Sequence, residues 1–143
     1  MLKKITLSLL TVLMALSILM PATALAEGPT VQSDSVFSPN WTYIADIGDS
    51  LGIDSSGKAA MTSLIVAYSG TSVSMINYLQ RYENGSWTSV QGWSSSTQGT
   101  RGNWSNTYYV YSGYNYRLLT YFYVYNNGSL LESTSITSPT KYY

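Results

Sequence analysis

The chain contains no cysteine and no histidine, and only a tenth of its 143 residues are charged. Each shortage removes a class of chemistry. Without cysteine there is no disulfide, no thiolate nucleophile and no lipid attached through sulfur. Without histidine, acid–base work would fall to carboxylates, and the many serines lack both a histidine and an evident lysine base. The Gly-x-Ser-x-Gly nucleophile elbow is missing as well. We therefore expect no enzymatic activity, no catalytic residue and no cofactor.

One long hydrophobic run is present, at the start. Lys3 and Lys4 precede an uncharged apolar stretch from Ile5 to Met20, followed by Pro21 and Ala24-Leu25-Ala26. A helix over that stretch would reach about 24 Å, short of a hydrocarbon core of about 30 Å. Small residues at the −3 and −1 positions suit signal peptidase, so residues 1–26 read as a secretory signal peptide cleaved between Ala26 and Glu27. An uncleaved anchor is the alternative, without a stop-transfer pattern to support it. The expected product is secreted, meets a membrane only during export, and spans 117 residues, the size of one domain. Export without disulfides matches Gram-positive bacterial practice better than eukaryotic secretion.

The mature portion keeps seven acidic and five basic side chains, a net charge of −2. The five cations are scattered, which argues against nucleic acid and anionic membranes as partners. Residues 27–40 are rich in Pro, Ser, Thr and Asp without periodicity and read as a flexible lead-in. From Trp41 onward an alternation of period two appears, with no competing amphipathic helix. Seven strands are expected, roughly over 41–47, 59–68, 72–82, 86–93, 103–111, 114–125 and 129–137. The apolar run 59–68 suits a strand buried on both sides, with a short buried helix as the alternative; 48–58 suits a loop, and 92–102 a connecting loop or twisted edge segment. Asn84-Gly85 and Asn127-Gly128 are type I′ hairpin signals, because Asn and Gly tolerate the positive φ that turn needs. Both also begin N-glycosylation sequons, as do Asn40 and Asn103, and in a bacterial host these are expected to be silent. The fold class is thus all-β: a single antiparallel β-sandwich over 41–143.

Two sets of residues carry resemblances. Gly113-Tyr114-Asn115-Tyr116 leading into Leu118, Thr120, Phe122 and Val124 resembles the tyrosine corner of immunoglobulin-like and fibronectin type III domains. That resemblance implies a hydroxyl bonding back to the backbone, from Tyr116 or, as second candidate, Tyr114. Gly85-Ser86-Trp87 after Tyr78 to Tyr82 resembles the hairpin whose Trp packs between the sheets, and the missing cysteine pair favours the fibronectin-like variant or an unrelated sandwich with similar hairpins. Leu79-Gln80-Arg81, Gly85-Ser86-Trp87 and Gly113-Tyr114-Asn115-Tyr116-Arg117, in this order, resemble uncharacterised secreted domains of Gram-positive bacteria. That second resemblance covers about half the chain and implies export and fold, with no functional residues.

Two candidate sites remain. Asp46, Asp49 and Asp54 could gather oxygen ligands for Ca²⁺, but they lack the spacing of an EF-hand loop, and ordinary Asx turns account for them. The other is an aromatic surplus of fourteen Tyr and four Trp. If Leu118, Thr120, Phe122 and Val124 face inward, then Arg117, Leu119, Tyr121, Tyr123 and Tyr125 face outward, and Tyr109 and Tyr111 could join them across strands. Such a row can stack on sugar rings or anchor a protein, or it can simply stabilise a sheet through cross-strand pairs. A bulge within the strand would swap its faces. The expected role is non-enzymatic binding of a glycan, a cell-wall polymer or a protein. The alternatives are an exported antimicrobial polypeptide and a self-assembling surface subunit.

Overall fold

The computed structural model describes residues 40–143. The expected signal peptide, its cleavage point at Ala26 and Glu27, and the lead-in up to residue 39 lie outside the described residues. From Ile44 the backbone is almost continuously extended: β1 (Ile44–Ile53), β2 (Lys58–Ala67), β3 (Ser72–Glu83), β4 (Ser86–Gln98), β5 (Arg101–Tyr109), β6 (Asn115–Asn126), β7 (Ser129–Thr137) and β8 (Lys141–Tyr142). One sheet has the order β1-β2-β5 and the other β4-β3-β6-β7, with β8 pairing on β6 beyond β7. Every pairing is antiparallel. This is the immunoglobulin/fibronectin III-like sandwich. Its fourth strand pairs with the third, instead of joining the first sheet as in the constant-type immunoglobulin order.

The two Asn-Gly turns set the registers. Asn84 and Gly85 have φ of 52° and 80°, and Asn127 and Gly128 have 48° and 84°. Both residues of each pair are left-handed, as a type I′ turn requires, so Glu83 faces Ser86 and Asn126 faces Ser129.

Burial follows the alternation. Val73, Met75 and Leu79 of β3 and Leu118, Phe122 and Val124 of β6 are sealed from solvent. They meet Ile44, Leu51, Ala59, Met61, Ile65 and Ala67 of the facing sheet in two apolar clusters, with Trp104 packed against both. Tyr116 is buried, and its hydroxyl donates to the carbonyl oxygen of Tyr111 at 2.8 Å. Burial pushes that phenol's pKa up. Tyr114, the second candidate for the corner, instead lies under the Arg81 guanidinium, 4.5 Å from the ring centroid.

Two expectations need correction, and the structure decides between the alternatives for a third. The expected loop 48–58 shrinks to a turn at 54–57, because β1 runs on to Ile53 with Leu51 buried in the core. There Asp54 accepts from the Ser56 hydroxyl and from the amides of Ser56 and Lys58. The Ser56 hydroxyl, followed by those amides, holds its carboxyl below the usual range. β2 is not buried on both sides: Ala59, Met61, Ser63 and Ile65 are inside while Ala60, Thr62 and Leu64 are exposed. A two-layer sandwich covers only one face of each sheet. Of the two alternatives for 92–102, the edge segment is the one found: β4 continues to Gln98 as a polar edge strand, so only 99–100 connect it to β5.

Candidate aromatic binding face

β6 pairs with β3 without a register shift from Asn115 to Tyr125. The nearby bulge falls on the partner strand, where Leu131 is the extra residue opposite Val124 and Tyr125. The parity of β6 therefore holds along its length. With Leu118, Thr120, Phe122 and Val124 inside, Arg117, Leu119, Tyr121, Tyr123 and Tyr125 project from the outer face.

The neighbours of this row are set by the ladder. Leu119 stands beside Tyr78, Tyr121 between Ile76 and Ser135, and Tyr123 between Ser74 and Ser133. The Tyr123 ring thus rises above short hydroxyl side chains on both sides, and Tyr121 above one on the β7 side only. Tyr123 and Tyr125 stack at 6.4 Å, and Tyr78 meets Tyr121 edge-on at 6.3 Å. The Tyr78 ring leans over Gly92 on β4, where a β-carbon would come within 3.0 Å of it. Tyr121 is 38 % exposed, while Tyr123 and Tyr125 are half-buried by their own packing.

At the other end of the row a polar cluster is held in place. The Arg117 guanidinium lies over the Trp87 ring at 4.2 Å, and its Nε donates to Gln80 Oε1 at 2.9 Å. Gln80 Nε2 in turn points at Ser89 Oγ, a long 3.4 Å contact, and Trp87 packs on Tyr82 at 5.2 Å. Such stacking restrains a long side chain that would otherwise be mobile. Between this cluster and the tyrosines lies an open depression of about 410 Å³, lined by Ile76, Tyr78, Gln80, Ser89, Leu119, Tyr121 and Tyr123.

Trp87 therefore does not pack between the sheets as expected. The two-residue turn sets it opposite Tyr82, which shares the outward parity of Tyr78 and Gln80. The inter-sheet position belongs to Trp93 and Trp104, whose rings meet at 5.4 Å. Tyr109 and Tyr111 do not join the tyrosine row either. β5 pairs with β2, which puts Tyr109 on the opposite sheet, opposite Lys58, and Tyr111 follows beyond the end of β5. Both are well exposed, at 67 % and 77 %.

The three aspartates are not brought together. Asp46 is exposed, Asp49 points inward, and Asp54 is engaged in its turn. The separation of 46 from 49 is odd, so a strand sends them to opposite faces. No cluster of three metal-binding side chains occurs among the described residues.

Two arrangements were not foreseen. The Arg117-Trp87-Gln80 cluster could have been read from the Asn84-Gly85 register carried across to β6. The interior group of Asp49, Ser63, Asn77 and Thr120 gives only a weak signal, polar residues at inward parity within apolar strands. No helix among the described residues is long and apolar enough to cross a membrane. No family model, curated protein or solved structure matches the chain.

Proposed function

We propose that this chain is an exported, non-enzymatic binding module that holds a neutral glycan across the outer face of β3 and β6. The observation that carries this reading is the unbroken outward row from Arg117 to Tyr125, flanked by serines and opening onto the depression beside Tyr78. Tyrosine rings offer apolar faces to the C–H surfaces of sugars, while Gln80, Ser89 and the remaining N–H groups of Arg117 can meet hydroxyls. Arg117 is the only charged side chain in the row and is held against Trp87 and Gln80, so most of the face is uncharged and suits a neutral sugar chain. Tyr78 packed on Tyr121 and Arg117 packed on Trp87 reduce the ordering that binding would otherwise require.

An array of neutral and charged glycans, including bacterial cell-wall fragments, tests this. Binding should be strongest to neutral chains. A Tyr121→Ala, Tyr123→Ala double variant should weaken it by about tenfold or more, at about 0.5–1.5 kcal/mol per ring. A protein that binds no glycan, or a double variant that binds as well as the original, overturns the proposal.

A further inference from the structure

Behind the outer face, the interior between the two apolar clusters is polar. Ser63 of β2, Asn77 of β3 and Thr120 of β6 are buried, and Asp49 of β1 pairs with Ser63 across the ladder. Ser63 Oγ donates to Asn77 Oδ1 at 2.7 Å and Thr120 Oγ1 donates to the same oxygen at 2.8 Å, with the two hydroxyl oxygens 3.0 Å apart. Both hydroxyl protons are thereby committed to Asn77. Its Nδ2 has no partner, and neither oxygen of Asp49 touches solvent or accepts a hydrogen bond.

The hydrogen bonds already made limit what Asp49 can be in this arrangement. A buried carboxylate with no donor is costly, whereas a protonated carboxyl brings its own donor. Ser63, its ladder partner on β2, and Thr120, whose hydroxyl oxygen lies 3.0 Å from that of Ser63, are the neighbouring hydroxyls, and either oxygen can accept that proton. The arrangement seen is the one that suits neutral Asp49. A second arrangement exists for the ion. Turning the Asn77 carboxamide by 180° places Nδ2 where Oδ1 now stands, so that its two N–H groups point at the two hydroxyl oxygens. The hydroxyl protons are then free to donate to the Asp49 carboxylate. The orphaned amide nitrogen becomes an orphaned carbonyl, the less costly of the two.

We propose that Asp49, Ser63, Asn77 and Thr120 form a two-state proton switch between the sheets, in which ionisation of Asp49 turns the Asn77 carboxamide over. No bond is made or broken apart from the Asp49 O–H, whose proton passes to solvent. Burial pushes the Asp49 carboxyl up to about 6 from 3.8, against the opposing Ser63 and Thr120 hydroxyls. The exchange thus falls in the mildly acidic range. Among the described residues, no charged side chain shares the site. Lys58 and Arg101, on β2 and β5, are exposed, and Asp46 on β1 is exposed. On β6, Arg117 is turned to the outer face against Trp87. Arg81 stands four residues along β3 from Asn77, about 14 Å away, paired with Glu83. Glu132 of β7 is engaged with the amides of Thr42, Tyr43 and Ile44. The proposal is independent of the glycan reading.

The test is a pH titration of the ¹³C,¹⁵N-labelled protein by NMR, following the Asp49 carboxyl carbon and the Asn77 side-chain NH₂ group. Both are expected to move with one shared midpoint near pH 6, about two pH units above an ordinary aspartate. In Asp49→Asn, the Asn77 signals should be stationary over that range. An Asp49 midpoint near 4, or Asn77 signals that stay fixed while Asp49 titrates, overturns the switch. Should Asp49→Asn fail to fold, the two wild-type titration curves decide the matter on their own.

Discussion

β3 and β6 carry two unlike chemistries one residue apart. Asn77 and Thr120 face inward and are sealed, while Tyr78 and Tyr121, their neighbours in sequence, face outward and pack on each other. Aromatic rings stand where water is available and amide and hydroxyl groups where it is not, the reverse of simple partition. The inward groups are tolerated because they bond to one another. The outward rings are tolerated because the sheet surface offers few charges, and cross-strand ring packing covers part of their area. A residue's face therefore says more about its role here than its polarity does.

The sharpest way to break this contrast is to truncate one ring on each face. Phe122→Ala should cost about 3–5 kcal/mol, because it leaves a cavity in a sealed cluster. Tyr121→Ala should cost under about 1 kcal/mol of stability while weakening glycan binding. Urea unfolding of both variants checks the pair, and equal losses would erase the distinction. Next in size is Tyr116→Phe, which keeps the ring and removes the bond to the Tyr111 carbonyl. A loss of about 1–2 kcal/mol is expected, with glycan binding unchanged.

The inward face should also answer to pH. Below 3.8 Asp49 is protonated whether the chain is folded or not. Between 3.8 and about 6 the folded state keeps a proton that the unfolded state has released, so stability falls as pH rises through that window and is level above it. With solvent screening allowed for, about 1–2 kcal/mol is at stake at neutral pH. Asp49→Asn should remove the slope and gain that amount, as chemical denaturation at pH 4, 5, 6 and 7 would show. Glu132 acts with the opposite sign. Burial raises its carboxyl, but the amides of Tyr43, Thr42 and Ile44 outweigh this and hold it below 4.5. Its contribution is present above 4.5 and is lost in stronger acid. Smallest of all, Tyr109→Ala and Tyr111→Ala should leave glycan affinity within about twofold, since both residues lie away from the row. A larger loss would relocate the site.

The alternation in β6 and the two Asn-Gly turns made the sandwich and the outward row of Arg117 to Tyr125 legible in the sequence, since period two and turn type are local properties. What escaped is non-local. Whether β5 pairs with β2 or lies beside β6 decides the place of Tyr109 and Tyr111, and no local pattern encodes that choice. Gly48 and Gly52 disguised the outer positions of β1 as loop, although Ile47, Asp49, Leu51 and Ile53 keep the inward alternation. Likeness to a familiar hairpin sends Trp87 inside, whereas the register running from Gly85 sets it opposite Tyr82 on the outer face. The polar quartet draws one residue from each of four strands and becomes visible only once the sheets are stacked.

The outer face can be tested directly by titrating the labelled protein with a neutral oligosaccharide and following the indole N–H signals. Trp87 should shift in a saturable way, while Trp93 and Trp104 between the sheets stay where they are. Saturable shifts at Trp93 and Trp104 with Trp87 unmoved, or no shift at any of the three, would contradict a glycan site on this surface.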